Sequence, residues 1–321
     1  MSEHVKELFN CVFVAKAIWV DMDVLGDVLR FLRLRGSVYF SACFCSPWGM
    51  EMARDSRAAF HLIVRGNAWL KLESRPEPFQ LKAGDIVLFP TGAPHLITDQ
   101  PGRECIPGTR VVEAYQSGEA LFEGSDESSD VVCGYVEFDR SQSHPFLDNL
   151  PEFIHITADM RSRFAWLDSV LKQIAFESEN LQPGKDVLID RFTEILFIQI
   201  IRSYAENEAV QENYLSALMD TPLSKALSLI HLEPEKSWTI DMIANAVGLS
   251  RSVFYKRFND YVGMPPMQYL FEWRMMKAKD KIESTQKSLQ RVAEEVGYQS
   301  DSAFQKAFKR FFSRTPASLR K

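Results

Sequence analysis

The chain has 321 residues, 46% hydrophobic and 25% charged, with a formal net charge of −6. That length suits two or three domains, and the composition is that of a globular protein. No apolar run reaches the roughly 18 residues of a membrane span, and the start, MSEHVKELFN, lacks the basic-then-apolar order of a secretory signal. A cytoplasmic protein with no membrane partner is expected, its five cysteines free thiols rather than a disulfide framework.

To about Asp139 the chain reads as short strands: Val38–Cys45, Ala58–Val64, Ala68–Leu72, Asp85–Phe89 and Val131–Phe138. Turn residues punctuate them at Pro47-Trp48-Gly49, Gly66, Gly84 and Pro90-Thr91-Gly92. Many short strands with turns between them predict a sandwich or barrel. The polar stretch from Thr98 to Asp130 reads as a mobile surface loop. Two helices are expected over Asp159–Leu218, since Phe164, Leu167, Val170, Leu171 and Ile174 recur at helical spacing and Pro183-Gly184 breaks the run. In the second helix Ile195–Ile201 is apolar nearly all round, which requires cover on several sides, from the chain's own core or from a second subunit. From Pro222 onward the pattern is helical throughout.

Charge is unevenly spread. Pro222–Lys321 holds 17 Lys and Arg against 10 Asp and Glu, a balance of +7, and the remainder holds 20 against 33, or −13. An acidic front and a basic back are expected when one domain alone meets phosphates.

The basic part contains an internal repeat. Its first copy reads Ala244-x3-Gly248-Leu249-Ser250-x3-Phe254-x3-Phe258, followed by Gly263 and Pro266. The second reads Ala293-x3-Gly297-Tyr298-Gln299-Ser300-x3-Phe304-x3-Phe308, followed by Ser313 and Pro316. The small Ala allows close helix approach, Gly ends the first helix with positive φ, and Ser caps the next. Two Phe four apart then seat that helix on the first. Helix, short turn and capped helix, twice over, is a helix-turn-helix pair. Met267–Ser284 reads as one helix setting the distance between the two recognition helices.

Periodicity turns Phe304, Ala307, Phe308 and Phe311 inward, leaving Ser302, Gln305, Lys306 and Lys309 outward; the same offsets in the first unit give Ser252, Tyr255, Lys256 and Asn259. Early positions of a recognition helix reach base edges and later basic ones reach phosphates. Base contacts are therefore expected from Ser252, Tyr255, Lys256, Asp301, Ser302, Gln305 and Lys306, and phosphate contacts from Arg251, Lys309 and Arg310. Arg257 falls beside the inward face and is expected to be structural.

Trp238-Thr239-Ile240, Gly248-Leu249-Ser250-Arg251-Ser252, Phe254-Tyr255-Lys256-Arg257-Phe258, Tyr269-Leu270 with Arg274-Met275, and Phe308-Lys309-Arg310 with Thr315-Pro316 resemble the AraC/XylS regulators. The resemblance covers about Pro222 to the end and implies two subdomains entering neighbouring major-groove segments. Pro265, Ser313 and Leu319 stand where that family usually has Ser, Gly and Tyr.

In the front part, Gly84-x5-Pro90-x-Gly92-x2-His95 resembles the second motif of cupins. With Leu32–Gly36, Pro47-Trp48-Gly49 and Phe60-His61-Leu62, it is similar to the cupin-type sensory domain of some AraC regulators. Many cupins hold a metal through His, His and Glu of a first motif and His of the second, but here Ala59 stands where that Glu would lie. No metal or other cofactor is expected. The alternatives are a metal held by His61 and His95 with Cys43 or Cys45, or redox sensing through Cys11, Cys43, Cys45, Cys105 or Cys133. Among the cysteines, Cys105 and Cys133 are the favoured redox pair. A catalytic cupin is disfavoured by the missing ligands and the attached DNA-binding part.

The expected protein is thus α+β and not an enzyme. It has a cupin-like β-barrel or sandwich over residues 1–150, a helical linker or dimerisation region over 151–221, and an all-α pair of helix-turn-helix subdomains over 222–321. It is expected to be a sequence-specific transcription regulator controlled by a signal sensed in front. Its partners would be double-stranded promoter DNA, a small-molecule effector, RNA polymerase and a second copy of itself. The effector pocket is expected at Trp48, His61, Trp69 and His95.

Overall fold

A computed structural model describes residues 23–124, 128–138, 144–161, 165–180, 182–206 and 213–320. Cys11 and Phe164 lie outside the described residues. The chain divides into two compact units. Of the described residues, 28–219 and 260–263 make the front unit, and 23–27, 220–259 and 264–320 belong to the rear unit.

Helix α1 (Val24–Leu32), of which Val28–Leu32 belong to the front unit, precedes strands β1 (Arg35–Cys45), β2 (Gly49–Met52), β3 (Ala58–Arg65), β4 (Asn67–Leu72), β5 (Phe79–Lys82), β6 (Ile86–Phe89), β7 (His95–Thr98) and β8 (Ile106–Pro107). Then come α2 (Gly108–Ser117), β9 (Ser128–Glu137), α3 (Pro145–Asp148), β10 (Ile154–Ile156), α4 (Ala158–Arg161), α5 (Ala165–Glu179), α6 (Lys185–Ala205) and α7 (Tyr214–Met219). The strands form two five-stranded sheets, in the orders β1-β9-β3-β6-β10 and β5-β4-β7-β2-β8. Inner faces of both sheets supply one core, in which Phe40, Phe44, Ile63, Phe89 and Val131 from the first meet Met50, Leu70, Leu72, Leu81 and Ile97 from the second. Alternation along each strand sends these residues inward. Fully burying side chains of this kind stabilises by about 1.5–3 kcal/mol each.

Two expectations change here. The polar stretch between Thr98 and Asp130 carries β8 and α2 rather than loop alone, because Val111 and Ala114, three apart, bury one face of that helix. The helices expected as a linker pack onto the sandwich, α5 against α6 and α6 against β1 and β9. The apolar run of α6 buries Leu196, Phe197, Ile200 and Ile201, while Val187, Leu188 and Ile195 remain exposed. One side of that run is therefore intramolecular core.

The rear unit holds α8 (Thr221–Leu232), α9 (Ile240–Ala246), α10 (Arg251–Val262) as far as Asn259, α11 (Pro266–Ser284), α12 (Leu289–Glu295), α13 (Asp301–Phe312) and a closing 3-10 turn at Pro316–Leu319. Asp220 caps α8 by accepting from Leu223 N at 3.0 Å, and its carboxylate also pairs with Arg257. Ser300 caps α13 through Ala303 N at 3.4 Å, and Ser250 receives Val253 N at the same distance in α10. Phe254, Phe258, Phe304 and Phe308 are wholly buried. The second pair packs with Met275, Ala278 and Ile282 of α11, so the long helix contributes to the core of the second subdomain.

Candidate functional site

The outward faces of the two recognition helices follow from these caps and stripes. With Phe254 and Phe258 inward on α10, the side chains of Arg251, Ser252, Tyr255 and Lys256 are exposed. With Phe304 and Phe308 inward on α13, so are those of Asp301, Ser302, Gln305, Lys306, Lys309 and Arg310. All ten expected contact residues thus lie on outward faces. Several already have partners within the chain, Ser252 and Ser302 through the cap hydroxyls of Ser250 and Ser300. Arg251 pairs with Asp241 at 2.8 Å, Gln305 Nε2 donates to Asp301 Oδ2 at 2.7 Å, and the Arg310 guanidinium lies 4.8 Å from the Phe271 ring centre. Sequence reasoning missed Val253, an apolar side chain 50% exposed beside Ser252. Its signal was an apolar residue out of phase with the buried stripe.

The turns before the recognition helices need glycine. Gly248 and Gly297 have φ of +73° and +86°. At Gly297 a Cβ would also lie 2.7 Å from Glu235 O and 2.8 Å from Arg274 Nη2. Arg274 of α11 bonds the carbonyl oxygens of Pro234 and Lys236 at 2.6 and 2.8 Å, holding the α8–α9 loop against that turn.

In the front unit the cupin-like motif builds a sharp approach to β7. Gly92 has φ +66°, and a Cβ there would collide with Asp55 O, so only glycine fits. Beyond it His95 is 4% exposed and His61 1% exposed. His95 Nδ1 faces Ala93 O at 2.8 Å, an acceptor only, so this nitrogen carries the proton. His95 Nε2 must then accept, and His61 Nε2, 2.8 Å away, must donate. That leaves His61 Nδ1 to accept from the Cys133 thiol at 2.8 Å. Cys133 is the cross-strand neighbour of His61 in the β3–β9 register. The His61–His95 bond joins the two sheets, and the His95 ring stacks on Phe89 at 3.6 Å.

Burial pushes His95 down to about 4, partly offset by its bond to Ala93, and burial together with His95 pushes His61 well below its usual value. Burial likewise drives the Cys133 thiol well up. The chain is thus neutral and closed, with every ring nitrogen committed to a hydrogen bond. These residues do not fit a cupin metal: Cys133 lies across the His61 ring from His95, and no group of three His, Cys, Asp or Glu suited to a metal occurs among the described residues. Cys43 and Cys45 lie on β1 opposite Asp130 and Ser128 of β9, whereas Phe40 is the register partner of Cys133.

Three cysteines of the redox alternative have thiols raised above their usual value. The favoured pair separates into the buried Cys133 and a half-buried Cys105 whose thiol is raised by burial and then by Glu51 and Asp99. Cys43 is raised by its bond to Asp130. Reactive thiols need the opposite shift.

A cavity of about 420 Å³ opens beside His95. Its walls include Tyr39, Ala59, Met52, Val112 and Thr109, with Arg54, Asp55, Arg57, Glu51 and Glu113 also lining it. Arg57 Nε bonds Asp55 at 2.8 Å and its guanidinium lies 4.5 Å from the Tyr135 ring centre. Burial would raise the Asp55 carboxyl, but the bonds from Arg57 outweigh it and hold it below its usual value. Of the four pocket residues expected, His95 lines this cavity and His61 stands behind it. Trp48 and Trp69 do not. Trp48 is buried in the core 5.4 Å from Phe44, and Trp69 is half-buried on the opposite face of β4 from Ala68, Leu70 and Leu72.

A cupin-type sandwich followed by two capped, outward-facing recognition helices defines a class of DNA-binding transcription regulators. Comparison with known proteins agrees: a cupin family model matches residues 23–206 and a helix-turn-helix domain model residues 243–321. The HTH-type transcriptional regulator AlkR of Acinetobacter baylyi is 31% identical over 304 residues, covering 93% of this chain and 99% of its own. A putative AraC-like transcription regulator of Streptomyces antibioticus is 29% identical, covering 94% and 99%. A solved AraC-type DNA-binding protein from Chromobacterium violaceum shows 30% identity and a TM-score of 0.31, covering 32% of this chain and 93% of that one. The chain belongs to the AraC-like, HTH-type transcription regulators with an N-terminal cupin domain.

Proposed function

We propose that this regulator reads promoter DNA through the outward faces of α10 and α13 and that a small molecule bound in the cavity beside His95 controls it. The observation that supports this most is the pairing of exposure with burial: the candidate contacts are exposed on two helices whose Phe pairs are wholly buried. Ser252, Tyr255, Lys256, Ser302, Gln305 and Lys306 meet base edges, Val253 offers a methyl surface to thymine, and Arg251, Lys309 and Arg310 meet phosphates. The cupin unit serves as a sensor and not as an enzyme, because its histidines are spent on each other, on Cys133 and on Ala93. The cavity volume falls within the range of small-molecule sites, about 300–1,000 Å³. Such a protein works in the cytoplasm, where RNA polymerase and a second copy are its further partners.

The test is binding of the full chain to a library of single-base operator variants at two salt concentrations. Gln305→Ala loses about 1–3 kcal/mol on the cognate site and relaxes one base position, whereas Lys309→Ala weakens all sequences alike and reduces the salt slope by about one. Equal loss on every sequence for both variants would refute the facing of α13. For the sensor, Val112→Trp places a ring in the cavity and should abolish the response to any effector that changes operator affinity. A response preserved in that variant, or one tightly held metal per chain lost in His95→Ala, would overturn the small-molecule reading.

A further inference from the structure

Asp301 and Gln305 stand one turn apart on the exposed face of α13, directly after the cap formed by Ser300. The bond between them, from Gln305 Nε2 to Asp301 Oδ2 at 2.7 Å, has a consequence for base reading. A carboxylate only accepts, so the nitrogen end of the Gln305 carboxamide must face it and the oxygen end must face away. This chemistry decides the amide's flip, which atom positions alone leave open. One N–H and the carbonyl oxygen of Gln305 remain free. That is the donor–acceptor pair complementary to N7 and N6–H of adenine in the major groove.

The first recognition helix carries no such brace. At the offset of Asp301 it has Arg251, tied to Asp241 at 2.8 Å, and at the offset of Gln305 it has Tyr255, which has no amide to orient. Charge also disfavours Asp301 as a direct DNA contact, since it brings a negative group to a polyanion. We infer that Asp301 is a positioning residue rather than a DNA contact: it holds the Gln305 carboxamide in the orientation that reads adenine and so sets specificity at that base. This rests on the reading of Gln305 as a base contact.

The experiment uses the full chain and an operator selected by it from random duplex DNA, then varied one base at a time. Four variants are compared: Gln305→Ala, Asp301→Ala, Asp301→Asn and the double Asp301→Ala/Gln305→Ala. Gln305→Ala should lower the preference for adenine at one position by about tenfold or more. Asp301→Ala should lower the preference at that same position several-fold, while affinity for random DNA holds or rises. Asp301→Asn removes the charge but keeps an oxygen that can accept from Gln305, and should recover part of the preference. The double variant should discriminate no worse than Gln305→Ala alone. The inference is overturned if Asp301→Ala weakens cognate and random DNA equally, alters preference at a different base, or adds its loss to that of Gln305→Ala. If Gln305→Ala leaves every base preference intact, the base-reading role of Gln305 itself fails, and the positioning role falls with it.

Discussion

Lowering the pH should loosen the front unit before the carboxylates titrate, and His95 is one reason that can be worked through. In the unfolded chain a histidine titrates near 6.5, whereas burial holds His95 at about 4 in the fold. Between those values the unfolded state binds the extra proton, so stability falls as pH falls. The contribution is complete above the unfolded value and is lost on the way down to about pH 4. The separation makes the loss about 2 kcal/mol by pH 5 and about 3 kcal/mol once His95 is protonated in both states. The structural cause is burial, which disfavours the charged imidazolium and is only partly offset by the bond to Ala93 O. Equilibrium urea unfolding of the full chain and of His95→Leu between pH 7.5 and 5 measures it. The variant is less stable at neutral pH, because His61 Nε2 loses its acceptor, by about 1–3 kcal/mol. The gap between the two proteins should narrow by about 2 kcal/mol as pH falls to 5. Parallel curves would mean that His95 takes up its proton at the same pH in both states, and the reasoning from burial would be wrong.

Two further outcomes concern the rear unit. A fragment of residues 220–321 keeps the Asp220 cap and the Asp220–Arg257 pair, and should bind promoter DNA with an affinity that falls steeply with salt; a folded fragment inert at low salt would contradict this. Ser313 occupies the left-handed region at φ +56°, where the equivalent Gly263 has +79°. Ser313→Gly should therefore stabilise that fragment by about 0.5–1 kcal/mol and raise its melting midpoint by a few degrees. An unchanged or lower midpoint would point to a compensating contact of the serine side chain.

What the sequence disclosed depended on the range over which each signal acts. The helix-turn-helix pair rests on local rules, caps and i,i+4 aromatics, and the repeat stated them twice; Ser300 caps and Phe304 and Phe308 are buried as the spacing requires. The strands Ala58–Val64 and Ala68–Leu72 were readable within a residue, but β2, β5 and β7, four residues each, are too short to show alternation. Trp69 lies outside the cavity beside His95, as its strand foreshadows: Lys71 shares its parity, while Ala68, Leu70 and Leu72 share the other. Cys133 is 72 residues from His61, and only the β3–β9 register brings them together. The cavity wall was invisible for the same reason, since Tyr39, Arg57, Thr109 and Val112 come from separate elements. Gly92 and His95, read from the cupin-like motif, were the local sign of it.

The contact at Gly297 bears on what the operator must look like. The turn of the second subdomain abuts the carbonyl of Glu235, and Arg274 clamps that same loop from the long helix. The two recognition helices are thereby held to one another as parts of a single compact unit instead of swinging on a tether. Such a reader measures helical phase as well as bases. Each base pair inserted between the two contacted segments turns the second by about 34° around the duplex, one part in roughly 10.5 of a turn. A fixed pair of helices cannot follow that rotation, so the DNA must bend or untwist to meet it, at a cost that grows with the stiffness of the intervening steps. Bases that no side chain touches then become part of the address.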